Sequence, residues 1–214
     1  MSRLRGHQLI DMAGTTLQSL DRQLDPAVMR DVSPLFVWVA FNLGAAHLAE
    51  MLVEKLKFHS DFEEVKHLLL EDSFDIYEVA TLSLSARSVA TPLDLCAAVL
   101  FRINGGVPDT DKEVDVDEWF RRIKSLDADE RHIEWMQRLK GHHTWRWLKD
   151  ARDKSSHRAL RKSVRLSIGS PRTPTDEVYV GGEFRPLHQL VHTFSAFGQD
   201  RFCECCEMLG DPND

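Results

Sequence analysis

The longest apolar segment of the chain, residues 35 to 58, follows directly on Ser33 and Pro34. Serine is a preferred N-cap residue and proline a preferred first helical residue, so the sequence predicts one long helix that begins at Pro34. Three polar residues interrupt its most apolar part, Leu35 to Val53: Asn42, His47 and Glu50. The uninterrupted apolar run is too short to cross a bilayer, and we therefore expect a helix buried in a protein core.

The same start and stop signals recur along the chain. Thr91 and Pro92 predict a second helix start, and Asn104-Gly105-Gly106 should end that helix. A separate helix is expected before it, at about residues 73 to 88. Asp127 with Glu130 resembles a capping box for a helix that Gly141 should terminate. Beyond Pro186, apolar residues recur every three or four positions, which predicts a closing helix.

One segment departs from the helical pattern. Residues 164 to 168 alternate between polar and apolar, and Glu177 to Val180 runs into Gly181-Gly182, which is typical of a small hairpin. The fold class predicted is therefore all-α: a single helical domain with a hairpin-like insertion before the C-terminal helix. Its expected parts are an N-terminal segment (1–32), a main bundle (33–163), the insertion (164–185) and the closing helix (186–209).

Charge is distributed unevenly along the chain. The formal net charge is −7, but residues 138 to 165 alone carry +8, which leaves −15 on the remainder. Such asymmetry favours a polyanion or an acidic partner. The alternative is that these cations form a solvated helix face and pair with acids elsewhere on the same protein. Trp145 and Trp147 fit either base stacking or core packing.

The thiols and the N-terminus indicate a cytoplasmic protein. No secretory signal follows the N-terminal residues, so we expect reduced thiols and no membrane partner. Cys203, Cys205 and Cys206 crowd together without a second ligand pair at zinc spacing, which favours ordinary thiols on the last helix. We predict no metal and no cofactor. A zinc-supported interaction module remains an alternative interpretation of the cysteine cluster.

A helix from Thr144 through Leu160 would place a charged residue on its inner face. With Leu148 at the centre of that face, Arg152 falls within about 60° of it and requires a partner. His157, five residues later, is turned by about 140°, so one straight helix cannot aim both side chains at one point. Either the helix ends or bends near Ser155 and Ser156, or residues from two chains combine.

These residues resemble the signature of the HEPN superfamily (higher eukaryotes and prokaryotes nucleotide-binding). The motif is an arginine, a polar residue directly after it and a histidine five positions on, late in an all-α chain: Arg152, Asp153 and His157. The resemblance implies a metal-independent endoribonuclease, generally a homodimer, in which two Arg/His pairs face each other in a composite cleft. Ala159 stands where some members carry a modified tyrosine, so that regulation is not expected.

The resemblance implies that Arg152 and His157 are catalytic and that Asp153 is a supporting polar group. We expect Ser156, next to His157, to be a second supporting polar group. A histidine that titrates near neutrality can move the proton of a ribose 2′-hydroxyl, and arginine suits a phosphorane with extra negative charge. The basic segment supplies the residues that we expect to bind RNA: Lys149, Lys154, Arg158, Arg161 and Lys162.

The sequence is therefore compatible with two functions. The first is an RNA-cleaving homodimer, of a kind often used as a toxin or phage-defence effector, with an antitoxin or regulatory protein as a further partner. The second is a non-catalytic helical dimer that uses the same basic segment to bind RNA, a nucleotide or a protein. Cleavage of RNA without metal separates the two hypotheses.

Overall fold

The computed structural model describes residue 4 and residues 6–58, 73–107, 115–157, 162–163 and 177–210. Within these ranges the chain is predominantly helical, as the sequence predicts. The helices are α1 (Gly6–Asp21), α2 (Pro26–Phe58), α3 (Ser73–Ile103), α4 (Val116–Ile123), α5 (Glu130–Gly141), α6 (His143–His157) and α7 (Leu187–Gly210). The strands are β1 (Lys162–Ser163), β2 (Glu177–Val180) and β3 (Glu183–Pro186).

Two predicted helix starts are wrong, because Pro34 and Pro92 lie inside α2 and α3. The start of α2 is Asp25-Pro26, where Oδ1 of Asp25 accepts the backbone N–H of Ala27 at 2.7 Å. A proline inside a helix removes one backbone hydrogen bond. Packing between α2 and α3, which share the most extensive contact in the fold, outweighs this loss. The helix expected over residues 73–88 is therefore the first part of α3.

The predicted helix ends are confirmed. Helix α3 ends at Ile103, and Gly105 follows with φ of 84°, a conformation that favours glycine. Helix α5 ends at Gly141, but its N-cap is Asp129 and not Asp127. The side chain of Asp129 accepts the N–H of Arg131, which satisfies one of the donors left open at a helix start.

The core is built around α3, which packs against α2, α6 and α7. Residues of α7 predicted to share one face are all buried: Leu187, Leu190, Val191, Phe194 and Phe197. Helix α2 differs from its prediction, because only one of its faces is buried. Phe36, Val39 and Leu43 lie in the core, whereas Trp38 and Phe41 are exposed. The expected wholly buried helix is therefore corrected to one that is buried on a single face.

The predicted hairpin is present between α6 and α7. Strands β2 and β3 pair antiparallel, with Val180 opposite Glu183 across a turn formed by Gly181 and Gly182. The short strand β1 pairs antiparallel with the other edge of β2, which gives the order β1-β2-β3. Residues 164–168, which the sequence pattern also assigned to this insertion, lie outside the described residues.

Within the part of the chain that the structure describes, two helices are long and apolar enough to cross a membrane by length and composition alone. The 18-residue apolar stretches that meet this criterion lie within residues 26–51 of α2, where 39% of the stretch is buried in the fold, and within residues 80–103 of α3, where 72% is buried. Core helices of soluble proteins satisfy the same criterion, so this is weak evidence for a membrane location. The predicted cytoplasmic location stays a prediction.

Candidate functional site

Helix α6 carries the predicted site, and its inner face is as expected. Trp145, Leu148 and Ala151 are buried against the core, so Trp145 is a core residue. Helix α6 begins at His143, one residue before the expected cap, and its described part ends at His157. The side chain of Arg152 lies at the edge of this inner face and is 24% exposed.

Arg152 has the partner that its position requires. Its Nη1 donates to Oδ2 of Asp94 on α3 at 3.0 Å, and the Asp94 side chain is only 15% exposed. The other oxygen of that carboxylate accepts the backbone N–H of Val116, at the start of α4, at 2.8 Å. Nε of Arg152 also lies 3.7 Å from Asp153. One carboxylate thus joins α3, α4 and α6 at the point where the predicted catalytic arginine lies.

Burial makes Asp94 an unusual acid. Desolvation raises its pKa from the ordinary 3.8 to about 7, although Arg152 and the N–H of Val116 both favour the charged form. Neighbouring Asp115 raises the pKa further. A carboxyl group that titrates near neutrality beside an arginine is the kind of perturbed pair found at functional sites. No sequence motif pointed to Asp94 as part of the site.

A second set of ion pairs flanks the first. Nζ of Lys149 lies 2.9 Å from Asp115 and 2.5 Å from Asp117, and Nζ of Lys140 lies 3.0 Å from Asp117. Partial burial would raise the pKa of Asp117, but hydrogen bonds from both lysines lower it below its ordinary value. Three cations of the basic segment, Lys140, Lys149 and Arg152, therefore pair with acids of the same chain.

The described backbone of α6 is helical from Arg152 to His157, including Ser155 and Ser156. Five helical residues correspond to a rotation of about 140° and a rise of about 7.5 Å. Within one chain, the backbone therefore does not aim positions 152 and 157 at a single point. The described helix does not end at Ser155 or Ser156, and the combination of residues from two chains stays a prediction.

Several predicted site residues have no described side chain. They are Lys154, Ser156, His157 and Lys162; Arg158 and Arg161 lie outside the described residues altogether. Lys162 is in β1, which the antiparallel ladder joins to the hairpin. The roles predicted for all six, like the RNA-binding role of Lys149, stay predictions.

The hairpin packs on the same helix. The backbone N–H of Gly181 donates to Oδ2 of Asp150 at 2.8 Å, and the guanidinium of Arg185 lies 3.6 Å from the ring centre of Trp147. Gly181 has φ of 64°, and a Cβ at that position would overlap the indole of Trp147. Glycine is therefore required there both by the turn and by the close approach. Partly buried Trp147 thus helps to attach the insertion to α6.

A third ionisable cluster lies on α2 and α7, and no sequence motif pointed to it. The two carboxylate oxygens of buried Glu50 lie 3.1 Å from Nδ1 of His47 and 3.0 Å from Nδ1 of His192. Nε2 of His192 lies 3.4 Å from Glu54. Two imidazoles on one buried carboxylate satisfy its hydrogen bonding, which explains how a glutamate fits into this apolar helix.

The thiols lie on α3 and α7. Cys96, Cys205 and Cys206 are buried and Cys203 is half-buried, and burial raises the pKa of the Cys206 thiol well above its ordinary value. A thiol held in its neutral form is a weak metal ligand and a weak nucleophile. Among the residues that the structure describes, no group of three His, Cys, Asp or Glu side chains is placed to hold a metal ion.

Comparisons with protein-family models, with curated proteins and with solved structures found no match to this chain. What the structure establishes is the class: an all-α protein with a small antiparallel insertion, in which a partly buried ion pair joins Asp94 of α3 to Arg152 of the basic helix α6. Membership of the HEPN superfamily stays a prediction that is based on the Arg152 to His157 motif.

Proposed function

We propose that this protein is a metal-independent endoribonuclease whose site combines Arg152 of one copy with His157 of a second copy. The observation that carries the proposal is the fixed position of Arg152. Its guanidinium is anchored on a buried carboxylate while about a quarter of the side chain remains exposed. An arginine held in this way can bind a phosphate without losing much side-chain freedom on binding.

In the proposed reaction, neutral His157 accepts the proton of a ribose 2′-hydroxyl. The 2′-oxygen then attacks the adjacent phosphorus, and the bond to the 5′-oxygen of the next nucleotide breaks. Arg152 stabilises the negative charge that develops on the phosphorane. Protonated His157 returns its proton to the departing 5′-oxygen. The products are a 2′,3′-cyclic phosphate and a 5′-hydroxyl, and no redox step or cofactor enters.

In this proposal Asp94 is a positioning residue. It accepts a hydrogen bond from Arg152, and it also accepts the N–H of Val116, so the carboxylate is held from two sides. This arrangement ties the orientation of Arg152 to the start of α4. Asp153, close to Nε of Arg152, is proposed as the supporting polar group, together with Ser156. RNA is proposed to approach along Lys154, Arg158, Arg161 and Lys162, in the cytoplasm.

The second candidate is a non-catalytic helical dimer that binds RNA, a nucleotide or a protein. The pairing of Lys140, Lys149 and Arg152 with acids of the same chain favours the form of this candidate that binds a protein over the forms that bind RNA or a nucleotide. Charges already neutralised in this way contribute less to the attraction of a polyanion. A toxin or defence role, with an antitoxin as regulator, belongs only to the first candidate.

The test is RNA cleavage by purified protein in EDTA, with labelled RNA resolved on a gel. The wild type is expected to cut, and Arg152→Ala and His157→Ala are expected to lose at least 100-fold in rate, on the scale of general acid–base and charge stabilisation. Arg146→Ala is the matched control, because Arg146 is exposed on the same helix. Equal cleavage by wild type and both variants, or no cleavage by any of them, would contradict the proposal.

A further inference from the structure

The exposed face of α2 is apolar over four turns. Every residue classed as exposed between positions 37 and 51 is a large apolar one: Val37, Trp38, Phe41, Leu48 and Met51. Half-buried Gly44 and Ala45 lie between them, and Glu50, the single charged residue of this range, is buried. We call Val37, Trp38, Phe41, Gly44, Ala45, Leu48 and Met51 the α2 stripe. A monomeric soluble protein rarely leaves so continuous an apolar face in water.

The spacing of the stripe is that of a helix–helix seam. Trp38 and Ala45 occupy one heptad position, Phe41 and Leu48 the next, and Val37, Gly44 and Met51 a third position beside them. These positions follow the 3–4 alternation by which two helices pack knobs into holes. Helix α2 thus has two apolar faces, and the other one, with Phe36, Val39 and Leu43, already packs into the core.

We infer that a second copy of this chain covers the stripe, with the two α2 helices antiparallel about a two-fold axis. In an antiparallel pair, Trp38 of one copy lies opposite Leu48 of the other, and Phe41 lies opposite Ala45. Large residues at the ends of the stripe in one copy therefore face residues of the stripe in the other copy. The small residues Gly44 and Ala45 lie near the two-fold axis. A two-fold interface requires a surface that is complementary to itself, and this sequence order provides one.

The central glycine leaves room for a close crossing. A Cβ built on Gly44 meets no atom within 4 Å, so the surface above its backbone is open. The five large residues are 41% to 61% exposed and offer roughly 500 Å² of apolar surface. A stable interface takes about 800 Å² from each partner. The stripe therefore supplies the apolar centre of such an interface, and its neighbours supply the rim.

A bilayer fits the stripe less well than a second copy. The exposed apolar face extends over about 21 Å, which is shorter than the hydrocarbon core of about 30 Å. Exposed Arg30 and Asp31 lie within the apolar span of this helix, toward its N-terminal end. The opposite face of α2 packs against α1, α3 and α7.

This inference goes beyond the proposed function, because Arg152 lies on α6, which packs mainly on α3. It is tested by mass alone, through light scattering on a sizing column, so failure of RNA cleavage does not decide it. The wild type is expected at no less than twice the chain mass of 24.5 kDa, and Phe41→Glu is expected to halve that mass. Ile10→Glu, at an exposed apolar residue of α1, is the matched control and should keep the wild-type mass.

The antiparallel register has its own test. Trp38→Lys and Leu48→Glu should each halve the mass, and the double variant should restore it, because each lysine then faces a glutamate of the other copy. Within one chain these positions are about 15 Å apart along α2, too far for a direct pair. A single-chain wild type, an unchanged mass for Phe41→Glu, or a double variant that stays at half mass would overturn the inference. So would flotation of the wild type, but not Phe41→Glu, with phosphatidylcholine vesicles.

Discussion

On α6, the arginine that the helix turns toward the core meets a carboxylate of the same chain, whereas on α2 the aromatic residues that the helix turns outward meet solvent. Arg152 reaches Asp94 at 3.0 Å across the α3–α6 contact. Trp38 and Phe41 are 61% and 58% exposed, with their ring centres 6.2 Å apart. Each helix carries residues that do not suit the side they face.

The difference follows from the two kinds of free-energy penalty. A charged side chain on the buried side without a partner would lower the free energy of unfolding by several kcal/mol. Its partner must therefore lie within the fold itself. An exposed apolar side chain forgoes roughly 25 cal/mol of stabilising free energy for each Å² of surface left in water. The folded chain remains stable despite this smaller loss. Partners of the first kind are therefore internal, while partners of the second kind can come from another molecule.

The largest expected effect compares two leucines of α2. Leu43→Ala, at a residue 1% exposed, should lower the free energy of unfolding by about 2–5 kcal/mol, because it opens a cavity in the core. Leu48→Ala, at a residue 57% exposed, should change it by less than about 1 kcal/mol. Urea unfolding at a concentration where the chains are single measures both. Equal losses of unfolding free energy would contradict the difference in burial between the two faces of α2.

The next effect concerns the buried acid of the α6 site. Because the pKa of Asp94 in the fold, about 7, lies above its ordinary value of 3.8, its contribution to stability is present at low pH and is lost as the pH rises through 7. Relative to Asp94→Asn, the wild type should lose about 2–3 kcal/mol between pH 5 and pH 8. Urea midpoints across this range provide the measurement.

The control for Asp94 is Asp153→Asn. It removes the same charge from a side chain that is 63% exposed and 3.7 Å from Arg152. Its pH dependence should run parallel to that of the wild type over the same range. If Asp94→Asn also runs parallel to the wild type, Asp94 is not a buried acid with a raised pKa.

A smaller effect is expected where the hairpin packs on α6. Gly181→Ala should destabilise the protein by about 1–2 kcal/mol, since it adds a Cβ at positive φ and against the indole of Trp147. Gly182→Ala also lies at positive φ, but its Cβ would meet nothing within 4 Å. The difference between the two melting temperatures isolates the contact with Trp147. Identical melting temperatures would mean that the hairpin does not pack there.

The smallest effect is expected from the partly exposed lysine of the site. Lys149→Gln removes ion pairs with Asp115 and Asp117 and should lower stability by about 0.2–1 kcal/mol, because solvent and salt screen such pairs. The loss should shrink further in 1 M salt. Arg146→Gln, on the exposed side of α6, should change stability less. A loss above about 2 kcal/mol for Lys149→Gln would contradict the expectation that solvent screens the ion pairs of Lys149.

Much of the helical order could be predicted from local signals. Gly105, just after α3, and Gly141, the last residue of α5, mark the helix ends as expected, because a glycine ends a helix through its own backbone and needs no partner elsewhere in the fold. The helix starts predicted at Pro34 and Pro92 were wrong because long-range packing, and not the local sequence, decides whether a helix continues through a proline. For Arg152, the helical wheel showed that a partner was needed. It could not identify Asp94, which is 58 residues away in the sequence.

Two features lay beyond the reach of local reasoning. The composition of α2 indicated burial, and only the packing of its neighbours revealed which face remained uncovered. The pairing of Lys149 with Asp115 and Asp117 also joins segments that are more than 30 residues apart. Unequal charge between two segments of one chain can therefore reflect their mutual attraction as readily as a binding surface for a polyanion.

The most direct test of the shared site mixes two inactive variants. Arg152→Ala and His157→Ala are each expected to be inactive toward RNA in EDTA, with unchanged helical content by circular dichroism. After the two are unfolded together and refolded, mixed pairs hold one intact combination of Arg152 from one chain and His157 from the other. The account predicts that cleavage returns in the mixture. A mixture as inactive as its components, beside an active wild type, would contradict a site shared between two copies.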